Sequence, residues 1–384
     1  MKETIEGKIR LILHDESIEK PTKASAFYNP RMTMNRDFSI ASANAFFKEK
    51  KGLIMVCEPM AATGIRALRY AKEVRDTEVI CADLKRSAYA TIEKNIGLNN
   101  LKNAHPFHED ALQNLQRAEY NLIDLDPFGT PAPFLETAIK QIKIGGLLGI
   151  TATDMTALCG IEHEAAKRRY GGKTLRTEYC YEIGARVLIY AAAKLAEKHK
   201  KSVEPLMVLG VDHYIRVWLA VRSLQSAVRK LQSANSKLQT NYGYIYHCFG
   251  CDNRKVAKEE SGFACENCGK TMGEAGPLWI GPLFNEKFLK KIKNEIENSE
   301  FQTKPRMIKL ISMMREEAAH PELITFYDIH EFCKTYNLIA PKTEKIIEKL
   351  KKQKFKVAKT HFTNLGLRTN ANPTKLKEII KSLA

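Results

Sequence analysis

The chain has 384 residues, 44% of them hydrophobic and 27% charged, so two or three domains with real cores are expected and a disordered polymer is excluded. Its 61 Lys and Arg outnumber 44 Asp and Glu, a formal net charge of +17, which points to a polyanionic partner such as nucleic acid, with a lysine-rich thermophile-like surface as the plain alternative. No apolar run is long enough to cross a bilayer, and the charged start "MKETIEGKIR" lacks a secretory signal, so a cytoplasmic protein with no membrane partner is expected.

Three stretches follow from composition. Residues 1–50 form a polar N-terminal segment containing "FYNPRMTMNRD". Residues 51–225 alternate short apolar runs with longer helical patterns, which predicts an α/β fold with a mostly parallel sheet. Residues 226–384 form a basic α+β C-terminal region with a Cys- and Gly-rich module at 242–285. The joining stretch "SLQSAVRKLQSANSKLQTN" reads as a helix or a linker.

Within 51–225 the predicted strands come in order. "GLIMVCEPMAATGIRALRY" is a strand, a tight loop and a helix, and "EVICADLKRSAYATIEKNIGLN" is the next strand and helix. "AHPFHEDALQNL" follows, then "YNLIDLDPFGTP" with the helix "APFLETAIKQI", then "GGLLGITATD". "PLMVLGVDHYIRVWLAVRS" closes the series as a hairpin.

Open parallel sheets bind ligands beyond the carboxyl ends of their strands. Glu58, Asp83, Asp110 and Asp126 all sit at or just past such ends. Glu58 and Asp83 are 25 positions apart, near the spacing at which nucleoside-binding folds place an acid for the ribose hydroxyls. The first loop, "EPMAATGIRAL", has one glycine, Gly64. It lacks the glycines of a pyrophosphate cradle and the Gly-Lys-Ser/Thr of a P-loop. Such a turn suits a nucleoside with a short charged tail, such as S-adenosylmethionine, or is a plain strand-to-helix turn.

"DPFG" resembles the Asp/Asn-Pro-Pro-aromatic signature of methyltransferases acting on exocyclic amino groups. Such an amine is a poor nucleophile because its lone pair is delocalised into the ring. An acceptor on its N–H localises the pair and accommodates the developing positive charge. Asp126 is the candidate acceptor, Pro127 fixes the turn, and Phe128 offers a stacking ring. Asp124 and Asp126 share a strand face. They could instead hold a divalent metal or cap the turn, but a division is favoured, with Asp124 supporting the loop or cofactor end.

Cys248-x-x-Cys251 and Cys265-x-x-Cys268, with 13 residues between the pairs, predict a closed four-thiolate structural Zn2+ site rather than a disulfide. The other five cysteines look like small core residues. "EKIIEKLKKQKFKVAKTHF" reads as a basic helix and a strand, like a winged helix whose lysines track phosphates; a solvated helix face is the alternative.

"FYNPRMTMNRD", "ATGIR", "DLDPFGTP", "TATDMTALCG", "GPLWIGPL" and "THFTNLGLRTN", in this order, resemble the tRNA (guanine-26, N2) dimethyltransferases over nearly the whole chain. The resemblance implies a class I (Rossmann-like) methyltransferase domain, S-adenosylmethionine as donor, and a tRNA guanine acceptor receiving one or two methyls. It implies cofactor contacts at Arg36, Arg66, Asp83, Asp110 and Ala111, and a catalytic acid at Asp126. Arg36 and Arg66 can meet the donor carboxylate with planar, bidentate bonds. Phe27 is a second candidate ring, able with Phe128 to hold a flipped base from both faces, or else simply to pack. Some members of the family lack the four cysteines, which sets zinc apart from the chemistry. Another base, another RNA site, or a zinc-stabilised RNA-binding protein with a decayed site are the competing readings. Oligomeric state stays open, with a monomer compatible.

Overall fold

The computed structural model describes residues 2–13, 26–226 and 241–383. Most of the Ser/Gln/Lys-rich joining stretch, 227–240, lies outside the described residues. The N-terminal segment opens with a hairpin of β1 (Lys2–Glu6) and β2 (Ile9–Leu13). Ile9, Leu11 and Leu13 alternate inward and are fully buried, as the two-residue period of a strand requires. The helix Thr33–Phe47 follows. Its sequence is polar, yet it is buried nearly all round, including Asn35, Arg36, Asp37, Ser39 and Ser42. A helix of that kind is stable only if its polar groups find partners inside the protein.

Seven strands form the main sheet: β3 (Ile54–Glu58), β4 (Thr77–Asp83), β5 (Ala104–His108), β6 (Tyr120–Leu125), β7 (Ile142–Ala152), β8 (Lys201–Val211) and β9 (Tyr214–Ser223). Their order is β5-β4-β3-β6-β7-β9-β8. The first five are parallel, and β9 runs antiparallel to both β7 and β8. Both faces are covered, so β6 is buried along its whole length, its polar Asn121 and Asp124 included. The chain winds outward from β3 toward β4 and from β6 toward β7, so the strand order reverses between β3 and β6. A crevice opens at such a point.

One face packs against β2 and the helices Thr33–Phe47, Ile65–Glu73 and Arg86–Leu98. The other packs against Ala132–Gln141 and Cys180–Lys198. The C-terminal region contributes to both layers. Phe288, Leu289, Ile292, Met307 and Ile311, from the helices Glu286–Glu297 and Lys304–Ala318, join the first core. Ala275 and Leu278 join the second from β12 (Gly273–Trp279), which pairs with β10 (Tyr242–His247) beside β11 (Arg254–Ala257). The cysteine module has a small core of Tyr246, Cys248, Cys251, Cys265 and Met272, and the last part has its own, made by β13 (Tyr327–Asp328), β14 (Val357–Lys359), β15 (Gly366–Thr369) and three short helices. The basic helix, Thr343–Lys352, and the strand after it both lie there. Among the described residues no helix is long and apolar enough to cross a membrane.

Candidate active site

The carboxyl ends of β3, β4 and β6 open onto a cavity of about 1010 Å3. The loop after β3 is held against β4 by the Ala61 N–H, which donates to the Ala82 carbonyl at 2.7 Å. Gly64 starts the next helix with φ +81°, and a Cβ there would fall 3.3 Å from Ile92. The single glycine thus serves both a left-handed turn and close packing.

Asp83 ends β4 and is half-buried. Its two carboxylate oxygens accept from the Ala62 and Lys85 N–H groups, each at 2.9 Å. Those bonds fix the carboxylate while leaving lone pairs for a ligand. Asp110 caps the short helix Ala111–Leu115, accepting from the Leu112 N–H at 2.8 Å. Both acids and Ala111 line the cavity.

Beneath the cavity lies a buried cluster of charges. Arg66, 2% exposed, donates from Nε to Glu58 at 3.1 Å and from Nη1 to Asn35 at 2.8 Å and Ser39 at 2.7 Å. Its Nη2 donates to Asp126. Four of five guanidinium hydrogens are therefore engaged, and one on Nη2 remains. Asp124 is fully buried and accepts from Arg216 Nη2 at 2.6 Å and the Tyr70 hydroxyl at 2.7 Å. Burial alone would raise its pKa, but Arg216 and Arg66 outweigh burial and hold the carboxyl below the usual range. Asp124 is thus the support of the pair, and Asp126 is the member that reaches the cavity. Two arginines and a tyrosine all meet Asp124 on Oδ2, so this carboxylate is tied to the buried cluster rather than to the cavity. Glu58 has the opposite fate: burial, reinforced by Asp124 and Asp126 and only partly opposed by Arg66, pushes its pKa up to about 8.

Arg36 lies on the cavity wall but is bound side-on to Glu6, through Nε and Nη2, both at 2.6 Å. Its Nη2 also donates to the Asn29 carbonyl at 3.0 Å. Nη1 is the nitrogen with no hydrogen bond among the described residues. Neither arginine therefore presents a free two-nitrogen edge, because Glu6, Glu58 and Asp126 already use those edges. No residue next to either arginine in sequence foretold this, since Glu6 reaches Arg36 from the β1–β2 hairpin.

Phe27 and Phe128 meet at the cavity mouth with ring centroids 4.6 Å apart and planes at 83°. This edge-to-face contact differs from an open slot between parallel rings. Phe128 is 70% exposed, so it stands in water at the rim. The loop that carries it is braced from behind. Gly129 N–H donates to Thr153 Oγ1 at 2.8 Å, and Thr130 Oγ1 bonds the Tyr170 hydroxyl at 2.7 Å.

The chain matches the family described as N2,N2-dimethylguanosine tRNA methyltransferase over residues 7–381. It belongs to that family. Among its relatives is the tRNA (guanine(26)-N(2))-dimethyltransferase of Methanobrevibacter smithii, 37% identical over 99% of this chain and 97% of the relative. The protein of the same name from Methanothermobacter thermautotrophicus is 33% identical over 98% of both. A solved structure of Trm1 from Pyrococcus horikoshii with S-adenosyl-L-methionine is similar with a TM-score of 0.84 and 30% identity, over 99% of this chain and 100% of that one. The sheet order above is thus the fold of this methyltransferase family.

Sequence reasoning missed the far wall of the cavity, made by Asp212, His213, Tyr214 and Arg306. The first three form the tip of the β8–β9 hairpin. A signal existed: β8 runs in the same sense as β3, so the turn "VDHY" had to emerge at the carboxyl edge of the sheet. Arg306 comes from the C-terminal region and pairs with Asp212 at 3.1 Å; nothing local marks it.

The four clustered cysteines lie apart from the cavity, and their sulfurs fall within 4.8 Å of one another. Cys248 and Cys268 are 3.4 Å apart, and Cys251 and Cys265 3.5 Å. Zinc with thiolates at about 2.3 Å in a tetrahedron needs sulfurs about 3.8 Å apart, so the donor set fits a structural zinc ion. His247 is outside the cluster, which leaves the set closed by four thiolates. The module is wedged between the sheet domain and the last core. Arg254 bonds Glu178 and the Phe326 carbonyl, and the Tyr336 hydroxyl donates to the Cys251 carbonyl at 2.9 Å.

Proposed function

We propose that this chain transfers one and then a second methyl group from S-adenosylmethionine to the exocyclic N2 of guanine 26 of tRNA. The observation that carries the reading is the convergence of the acceptor loop and the ribose-type acids on one cavity, in a chain that belongs to this family. The donor supplies a methyl on a sulfonium, which needs no further activation; the protein has to position and polarise the acceptor. Asp83 would take the ribose hydroxyls, its geometry already fixed by two backbone N–H groups. Asp110 and Ala111 would flank the base of the donor. Nη1 of Arg36 and the remaining Nη2 hydrogen of Arg66 would meet the carboxylate of its amino-acid end.

Asp126 would accept an N2–H of the guanine, drawing the lone pair onto nitrogen and stabilising positive charge as the N–CH3 bond forms and the sulfonium S–CH3 bond breaks; the donor leaves as the neutral thioether S-adenosylhomocysteine and the N2 proton passes to the carboxylate. One of its oxygens is held by Arg66, which leaves the other for the base. N2 carries two hydrogens, so after one transfer a second N–H remains for the same carboxylate. Phe27 and Phe128 would receive the base between them, and their edge-on contact means that entry has to part the rings. Zinc would hold the module together and take no part in transfer. We place the reaction in the cytoplasm with its tRNA.

The test is methyl transfer from labelled S-adenosylmethionine to a tRNA transcript. Label is expected in mono- and dimethylated guanosine, with none in a transcript carrying adenine at position 26. Equal labelling of that control would move the site to another guanine. No labelling of any tRNA by protein that binds the donor would overturn the reading.

A further inference from the structure

Beside the acceptor loop that Tyr170 braces, the helix His163–Tyr170 carries a basic turn at its end. Its inner side is fixed: Ala165 and Ala166 are buried against Ala157. Tyr170, 2% exposed, hydrogen-bonds Thr130 of the acceptor loop at 2.7 Å and donates to Asp154 at 2.9 Å. The outer side shows Lys167, Arg168 and Arg169 to solvent. Arg169 is paired with Asp154 at 3.1 Å. Lys167 and Arg168 have no acidic partner among the described residues, and neither do Lys173 and Arg176 just beyond. Glu162 and Glu164 lie at the start of this helix, Glu164 beside His163, so the cations of its last turn and of the segment after it leave a local positive field there.

That field runs on to the zinc module. Lys173 exchanges two backbone hydrogen bonds with Gly276 of β12, at 2.8 and 2.9 Å. Phe249, in the turn between the first two zinc-binding cysteines, is 62% exposed. A Cβ on Gly273 would fall 2.6 Å from the Phe249 ring and 3.5 Å from Leu175, so the ring stands beside the residue before Arg176. A large exposed aromatic at the end of a line of unpaired cations offers phosphates their charge and a base its stacking face.

We infer that Lys167, Arg168, Lys173 and Arg176, with Phe249 at the far end, form a docking strip for the sugar-phosphate backbone of the substrate tRNA. The strip rests on the functional reading above. Within it the zinc module keeps Phe249 in line with the helix. The strip also links docking to chemistry, because Tyr170 joins the same helix to the loop that carries Asp126 and Phe128. The partner is recognised by charge and by an unstacked base rather than by sequence.

The test uses the full-length, zinc-loaded protein and a tRNA transcript. Lys167→Gln with Arg168→Gln is expected to weaken tRNA binding about tenfold at physiological salt and to flatten the slope of log affinity against log salt by about 2, one for each phosphate no longer neutralised. Phe249→Ala is expected to weaken binding several-fold without changing that slope, as loss of a stacked base does. In both variants S-adenosylmethionine affinity and bound zinc stay at the wild-type level, which shows that the fold is intact. Lys94→Gln, exposed on the helix Arg86–Leu98 of the opposite layer, leaves tRNA affinity and slope unchanged. Wild-type tRNA affinity and salt slope in the double variant would overturn the strip. So would an equal loss in Lys94→Gln, which would mean a diffuse charge effect. Failure of the wild-type protein to methylate any tRNA would instead count against the functional reading.

Discussion

Two clusters of buried charge look alike in composition and differ in what they leave open. Under the cavity, Glu58, Asp124 and Asp126 surround Arg66 and Arg216. Between the sheet domain and the last core, Glu182 and Glu317 surround Arg186, Arg368 and His361. The first has more acids than arginines. Two of its acids, Asp126 and Glu58, line the cavity, and Glu58 is pushed up to about 8. The second holds two acids among two arginines and a histidine, and Arg368 also donates to the Leu323 and Thr325 carbonyls at 3.0 and 3.1 Å. There Arg368 and His361 outweigh burial and hold Glu317 down at about 2. A buried cluster that closes on itself joins parts of a fold. One that leaves an acid at its edge stores an acceptor for a ligand.

The comparison can be broken at four places. Arg368→Met removes the cation common to Glu182 and Glu317, so unfolding in urea should show a loss of about 3–5 kcal/mol, the usual cost of half a buried pair. S-adenosylmethionine affinity of the folded fraction should not change. Wild-type stability in this variant would mean that the closed cluster joins nothing.

Asp126→Asn acts on the open cluster instead. Turnover at saturating tRNA should fall by about 10²–10³, a loss of about 3–4 kcal/mol in transition-state stabilisation. Donor affinity should stay near wild type, and the stability loss should be smaller than in Arg368→Met, because the amide oxygen still accepts from Arg66 and Asp126 is partly exposed. Turnover within a few-fold of wild type would remove Asp126 from the chemistry.

Asp83→Ala should weaken S-adenosylmethionine binding by about 1.5–3 kcal/mol, the range for hydrogen bonds to a charged group. Titration calorimetry reads this directly, and tRNA binding in the absence of donor serves as the control. Unchanged donor affinity would place the ribose elsewhere.

The fourth is a difference of sign with pH. Glu58 has its folded pKa raised from 4.5 to about 8, so its contribution is complete below pH 4.5 and is lost as pH rises toward 8. Glu58→Gln, neutral throughout, should therefore gain on the wild type across that window, with a slope below about 1.4 kcal/mol per pH unit. Glu317, lowered from 4.5 to about 2, contributes above pH 4.5 and loses that contribution as pH falls toward 2. Urea melts of wild type and Glu58→Gln at several pH values would show the first effect. Parallel stability curves would mean that Glu58 is ionised in the fold.

The sequence by itself determined the succession of strands along the chain, the acids at their carboxyl ends and the spacing of the four cysteines. These are local properties. A strand needs a short apolar run, an acid after it falls at the sheet edge, and two Cys-x-x-Cys turns each present two thiolates to one metal. The sequence also carried the acceptor loop, because Asp-Pro-Phe-Gly fixes its own turn. Tertiary structure alone decided which hydrogens of Arg66 and Arg36 remain for a ligand, since their partners come from segments as distant as residues 6, 35, 58 and 126. It decided that Phe27 and Phe128 touch edge-on, that Arg306 reaches the cavity, and that helices beyond residue 286 complete the first core. Periodicity records which face of an element is buried; it does not record what that face is buried against. That choice depends on how elements far apart in the chain pack together, and it is there that the charges of the site acquire their partners.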